Sequence, residues 1–156
     1  MFITKGRKSG RMDDLKQLYA HPWDKDDVSD LHKIVEVVQA TALLGVSGTP
    51  QKACQALMKN NNRPIIFPMS NPTSQAECTA EQAFSWTENK CIFASGSPFP
   101  KLTIDDKEIV PSQGNNAYIF PGVALGIIAS KSSRVTDGMF LLAAQVLFCF
   151  VLFSMY

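Results

Sequence analysis

The chain has 156 residues, 46% of them hydrophobic and 19% charged, which allows one domain with a real core. Its net charge of +1 gives no field that would draw nucleic acid, so nucleic-acid partners are not expected. The four cysteines, Cys54, Cys78, Cys91 and Cys149, form no Cys-x-x-Cys pair, and only His21 and His32 stand beside them. That pattern argues against a zinc site and for a reducing, intracellular setting.

Lys5, Arg7, Lys8 and Arg11 make the start basic, but no apolar run follows, which is not the pattern of a secretory signal. Asp13 and Asp14 follow at once and argue against a transit peptide. With Gly6, Gly10 and Pro22 as breakers, residues 1–27 read as a short strand at most and then loop, with His21-Pro22-Trp23 as a packed corner. Ser29 or Asp30 can cap a helix from Leu31 to Gln39, where Leu31, Ile34, Val35 and Val38 form one apolar face.

Thr41 to Val46 is short and apolar and runs into Gly45-Val46-Ser47-Gly48, the pattern of a buried parallel strand entering a loop. Pro50 suits the first turn of a helix that reaches Asn60. Ile65 to Met69 is a second strand, ending at Ser70-Asn71-Pro72-Thr73. Thr79 and Gln82 form a capping-box pattern that opens a helix to Glu88. Glu77, Glu81 and Glu88 read as a solvated helix face. Cys91 to Ala94 is a third strand, ending at Ser95-Gly96-Ser97-Pro98.

Leu102-Thr103-Ile104 and Glu108-Ile109-Val110 flank Asp105-Asp106-Lys107 as a small hairpin. Gln113 to Asn116 reads as a loop, and Pro121 opens an apolar helix through Ala129. Asp137 is placed to cap a last helix. From Met139 to Tyr156 only Gln145 and Ser154 are polar, a length at the short edge of a membrane span.

Strand, loop, helix, strand at this rhythm predicts a parallel α/β sheet. Ser47, Asn71 and Ser95 then share the edge formed by strand C-terminal ends, where open α/β sheets bind ligands. Asn71 is held extended by Pro72, and its amide can both donate and accept. The plainer reading is an Asx turn that ends the strand. Gly114-Asn115-Asn116 is either a tight turn or a ligand-facing loop. Gly45-x-x-Gly48 falls short of the Gly-x-Gly-x-x-Gly fingerprint.

Several long segments resemble one family. They are Leu43-Leu44-Gly45-Val46-Ser47-Gly48, Ser70-Asn71-Pro72-Thr73, Ala76-Glu77-Cys78-Thr79-Ala80-Glu81-Gln82, Phe93 to Phe99, and Gln113-Gly114-Asn115-Asn116 through Gly122. Together they resemble the NAD(P)-binding domain of malic enzymes, which oxidise L-malate with NAD or NADP and decarboxylate the product to pyruvate. The resemblance implies a Rossmann-like parallel sheet, here incomplete and equivalent to the C-terminal half of the dinucleotide-binding domain. It implies that Gly45, Val46, Ser47, Asn71 and Asn115 contact the cofactor, and that Asn71 and Asn116 contact malate. It further implies that the family's catalytic tyrosine and lysine, its Mg2+ or Mn2+ ligands and its Gly-rich phosphate loop lie N-terminal to this chain. No catalytic residue and no metal ligand is therefore assigned here.

The expected division is a partial cofactor domain over residues 1–145 and an apolar tail over 146–156 outside the family pattern. The expected compartment is the cytoplasm, with plastid or mitochondrion as the alternative. The rival functions are an interaction protein that pairs with full-length malic enzyme subunits, and a protein anchored to a membrane by its tail.

Overall fold

The computed structural model describes residues 3–7, 10–23, 28–47 and 53–154. They divide into two compact units, Met1–Gly114 and Asn115–Tyr156.

The first unit is built on a parallel sheet. Its strands are β1 (Ala42–Gly45), β2 (Ile65–Pro68), β3 (Ile92–Ser95) and β6 (Ser112–Gln113). They lie side by side in the order β1-β2-β3-β6. Register is set residue by residue: Ala42 faces Ile65, Ile65 faces Ile92, and Ser95 faces Gln113. Because every pair is parallel, all four strands finish on the same edge. Helices join β1 to β2 and β2 to β3, while a hairpin joins β3 to β6. The parallel α/β sheet is as the sequence rhythm predicts, and the arrangement is partial Rossmann-like, as the family resemblance implies.

Three helices serve this sheet. α2 (Leu31–Val37) starts where the Asp30 side chain accepts a hydrogen bond from the His32 amide at 2.9 Å. α3 (Cys54–Asn60) buries Cys54, Ala56 and Leu57. α4 (Ala80–Trp86) opens on the expected capping box, with Thr79 and Gln82 satisfying each other's backbone amides. The core joins Val35, Leu57, Ile66, Phe84 and Phe93. The rings of Phe84 and Phe93 lie 5.9 Å apart, and Phe99 meets Phe93 edge-on at 6.1 Å.

Polar groups tie the layers where apolar contact stops. Asn60 donates from its amide to the carbonyls of Val35 and Ala40, both at 3.2 Å, joining the end of α3 to the end of α2. Thr87 is fully buried; its hydroxyl donates to Ala83 O at 2.7 Å and accepts from the Cys91 amide. That hydroxyl holds the turn from α4 into β3. The hairpin of β4 (Leu102–Ile104) and β5 (Lys107–Ile109) turns through Asp105 and Asp106. Both turn residues have left-handed φ, 51° and 60°, the geometry of a tight two-residue hairpin turn.

Four expectations for this first unit need correction. The segment read as loop contains helix α1 (Asp14–Leu18), capped by Asp13. Nothing on α1 is buried, so apolar periodicity could not reveal it. β1 is not a buried strand: it is the sheet edge, and Leu44 is 63% exposed. Gln113 is not in a loop; it pairs with Ser95 as part of β6. Glu77 is not on a solvated face; it is 4% exposed. Pro50 and Gly48 lie outside the described residues.

The second unit contains a 3-10 turn (Asn116–Tyr118), α5 (Phe120–Ser130) and α6 (Asp137–Ser154). Asp137 is the first residue of α6 rather than a cap before it. Among the described residues no helix is long and apolar enough to cross a membrane.

Leu57 and Thr79 test this account. Leu57→Ala should cost about 3 kcal/mol, because removing a fully buried side chain leaves a cavity in the core. Thr79→Ala should cost about 1 kcal/mol through the lost cap. Urea denaturation checks both; equal losses at the two sites would contradict the assigned core.

Candidate functional site

The four strand ends continue as loops that remain hydrogen-bonded past the strands. Gly45 O accepts from the Met69 amide at 2.8 Å, Pro68 O from Gly96 at 3.1 Å, and Ser95 O from Gly114 at 2.9 Å. The ladder therefore sets each loop against its neighbour. Along this edge stand Gly45-Val46-Ser47, Met69-Ser70-Asn71, Ser95-Gly96-Ser97 and Gln113-Gly114.

Asn71 follows β2 on the exposed side of the edge, and its peptide bond to Pro72 is cis. The Ser97 hydroxyl donates to Asn71 Oδ1. Asn71 Nδ2 makes only a long 3.5 Å contact to Met69 O. The carboxamide is thus oriented by Ser97, with N–H donor capacity left for a ligand acceptor. Gln113 Nε2 donates to Gly96 O at 3.3 Å and closes the next loop over the same corner. Gly96 permits this close approach: a Cβ there would lie 2.3 Å from Met69 O and 3.1 Å from Asn71 Nδ2.

Beside it lies a cleft of about 440 Å³, lined by Leu43 to Ser47, Ile66 to Pro68, Cys54, Cys78 and Glu77 among others. Glu77 links the two regions. Its Oε1 accepts from the Ser47 amide at 2.8 Å and from the Ser70 hydroxyl at 2.6 Å, and Oε2 accepts from the Ser70 amide at 3.4 Å. Gly45 makes room for the carboxylate, since a Cβ would meet Glu77 Cγ and Cδ at 2.6 Å.

The edge thus brings together Gly45, Val46, Ser47 and Asn71. Asn115 and Asn116 belong to the second unit. There the Asn115 side chain accepts from the Ala117 amide at 2.9 Å and caps the 3-10 turn, while Asn116 is exposed. Sequence reasoning misses the burial of Glu77 and the way Ser97 orients Asn71. One signal is available for Glu77: it precedes the cap Thr79, so it cannot belong to the face of the helix that Thr79 opens.

Cys54 and Cys78 are buried in the lining of this cleft, and Cys91 is buried in the core. A hydrogen bond with Cys54, together with burial, holds the Cys78 thiol protonated far above the ordinary thiol range. Burial pushes Cys91 up as well. Among the described residues no three His, Cys, Asp or Glu side chains are grouped to hold a metal ion.

A family model described as the malic enzyme NAD binding domain matches residues 2–152. The chain is 45% identical over 149 residues to NADP-dependent malic enzyme 2 of Arabidopsis thaliana, covering 93% of this chain and 25% of that protein. It is 44% identical over 148 residues to the mitochondrial NADP-dependent malic enzyme of Homo sapiens, covering 92% and 24%. Against the NADP-dependent malic enzyme of Mus musculus it is 43% identical over 150 residues, covering 93% and 26%. The chain thus spans about a quarter of the length of the curated relatives it matches.

Two outcomes follow from the geometry of the edge. Gly96→Ala should destabilise the first unit by about 1–3 kcal/mol, because the methyl meets backbone rather than a flexible side chain. Urea denaturation reads this, and an unchanged midpoint would contradict the close approach. At pH 8 a thiol reagent should modify exposed Cys149 first and reach Cys54, Cys78 and Cys91 only on unfolding. Rapid modification of a second thiol in the folded chain would contradict their burial.

Proposed function

The chain belongs to the malic enzyme family, within its NAD-binding domain, and from that premise we propose that the strand-end edge holds a nicotinamide dinucleotide. The observation that carries the reading is the convergence of Gly45, Val46, Ser47 and Asn71 on one edge of a parallel sheet, beside a cleft. The small residue Gly45 and the backbone of Val46 and Ser47 would lie along the cofactor. The Asn71 carboxamide, oriented by Ser97, would offer N–H to the nicotinamide end and to malate. Asn115 is assigned to the cofactor and Asn116 to malate on the family resemblance.

In a complete malic enzyme these contacts would serve oxidation of malate by NAD or NADP and loss of CO2 to give pyruvate. Hydride transfer needs donor and acceptor carbons held in contact, and neutral amides can orient both partners without fixing a charge beside the nicotinamide. The family's Mg2+ or Mn2+ finds no three-carboxylate or mixed ligand group among the described residues, so no metal step is assigned to this chain. The role proposed for the 156-residue chain on its own is therefore binding, with cofactor and malate contacts assigned to it and no catalytic residue.

A second reading is favoured by one observation. Among the described residues β1 is an outer strand of the sheet; Leu44 on it is 63% exposed, and Val46 just after it is 80% exposed. Such an edge can pair with another chain, and the partner proposed is a full-length malic enzyme subunit. Co-elution of the two at micromolar concentration supports this reading, and separate elution removes it.

Two assays test the principal reading. Titration of NADPH, read by nicotinamide fluorescence, should saturate with the wild-type chain, and Asn71→Ala should weaken it about tenfold. The chain alone with malate, NADP+ and Mn2+ should give no NADPH above background. Steady turnover would overturn the claim that it is a binding module only.

A further inference from the structure

Glu77 is a carboxylate 4% exposed to solvent, and the roles assigned above do not use it. It sits in a loop ahead of α4, so helix formation does not explain it. A buried carboxylate is costly unless hydrogen-bonded, and the bonds it makes here are specific. They run to two different loops: to Ser47 at the end of β1, and to both the hydroxyl and the amide of Ser70 beside Asn71. The two loops follow different strands, yet one side chain fixes both. Gly45 completes the arrangement by leaving the space that the carboxylate fills.

We propose that Glu77 is a positioning residue that locks the Gly45-Val46-Ser47 loop to the Ser70-Asn71 corner, so that cofactor and substrate contacts keep one fixed geometry. The proposal rests on the reading of these two loops as dinucleotide and malate contacts. Charge-assisted acceptance by one carboxylate is stronger than a neutral contact, and both loops depend on it at once. A glutamine at this position keeps the length and one acceptor oxygen, but its NH2 would face an amide donor at Ser47 or Ser70. A graded response is therefore expected, with Glu77→Gln intermediate between the wild-type chain and Glu77→Ala.

The test is amide hydrogen exchange on the cofactor-free chain, comparing wild type with Glu77→Ala, Glu77→Gln and Ser70→Ala. Exchange at Ser47 should quicken about tenfold or more in Glu77→Ala and by less in Glu77→Gln, while the amides of Ile65 and Ile92, bonded to Thr41 O and Pro64 O, keep their protection. Unchanged exchange at Ser47 overturns the proposal. So does equal loss at Ser47 and in the sheet, since Glu77 would then be a general structural residue. If Glu77→Ala does not fold, Ser70→Ala removes the hydroxyl bond to Glu77 and should still loosen the corner; no change there overturns it too. NADPH affinity should fall in the same order, with partial recovery in Glu77→Gln. Absence of any NADPH binding by the wild-type chain would count against the dinucleotide reading alone, because the exchange result is obtained without cofactor.

Discussion

One buried carboxylate sets the geometry on which the candidate site depends. Glu77 accepts hydrogen bonds from Ser47 and from Ser70, and those two loops carry the residues that define the edge. The arrangement is demanding from both sides. Gly45 must lack a side chain for the carboxylate to fit, and the carboxylate must stay satisfied to remain buried. Ser97 performs the matching task for Asn71, and Gly96 must be small for that corner to close. The sheet supplies the edge, and these side chains turn it into a shaped surface.

The fold is legible in the sequence where local chemistry is decisive. Thr79 and Gln82 announce the start of α4 because the capping box satisfies two orphan amides with one pair of side chains. Asp105 and Asp106 announce the hairpin because aspartate tolerates left-handed backbone angles. Three short apolar runs separated by helical patterns predict a parallel sheet, and β1, β2 and β3 pair in that way. The long ordered motifs around Asn71 and Asn115 point to the family by themselves, and the family match over residues 2–152 agrees with them.

What the sequence does not show depends on partners distant along the chain. Leu44 carries the composition of a buried strand residue, but only sheet order reveals that β1 is an edge. Ser112-Gln113 has no strand signature; it becomes a strand because β3 offers its free side. α1 buries none of its residues, so periodicity has nothing to report. Glu77 illustrates the same limit within the site. Acidic residues are rarely buried, and its burial follows from two loops that approach it from elsewhere in the chain.

The central claim is that the strand-end edge is the dinucleotide site, and amide chemical-shift mapping with NADP+ tests it most directly. The account predicts saturable shifts concentrated at Gly45, Ser47, Asn71 and Gly96, with the amides on the far side of the sheet unmoved. Shifts that cluster elsewhere, or none at millimolar NADP+, would contradict it.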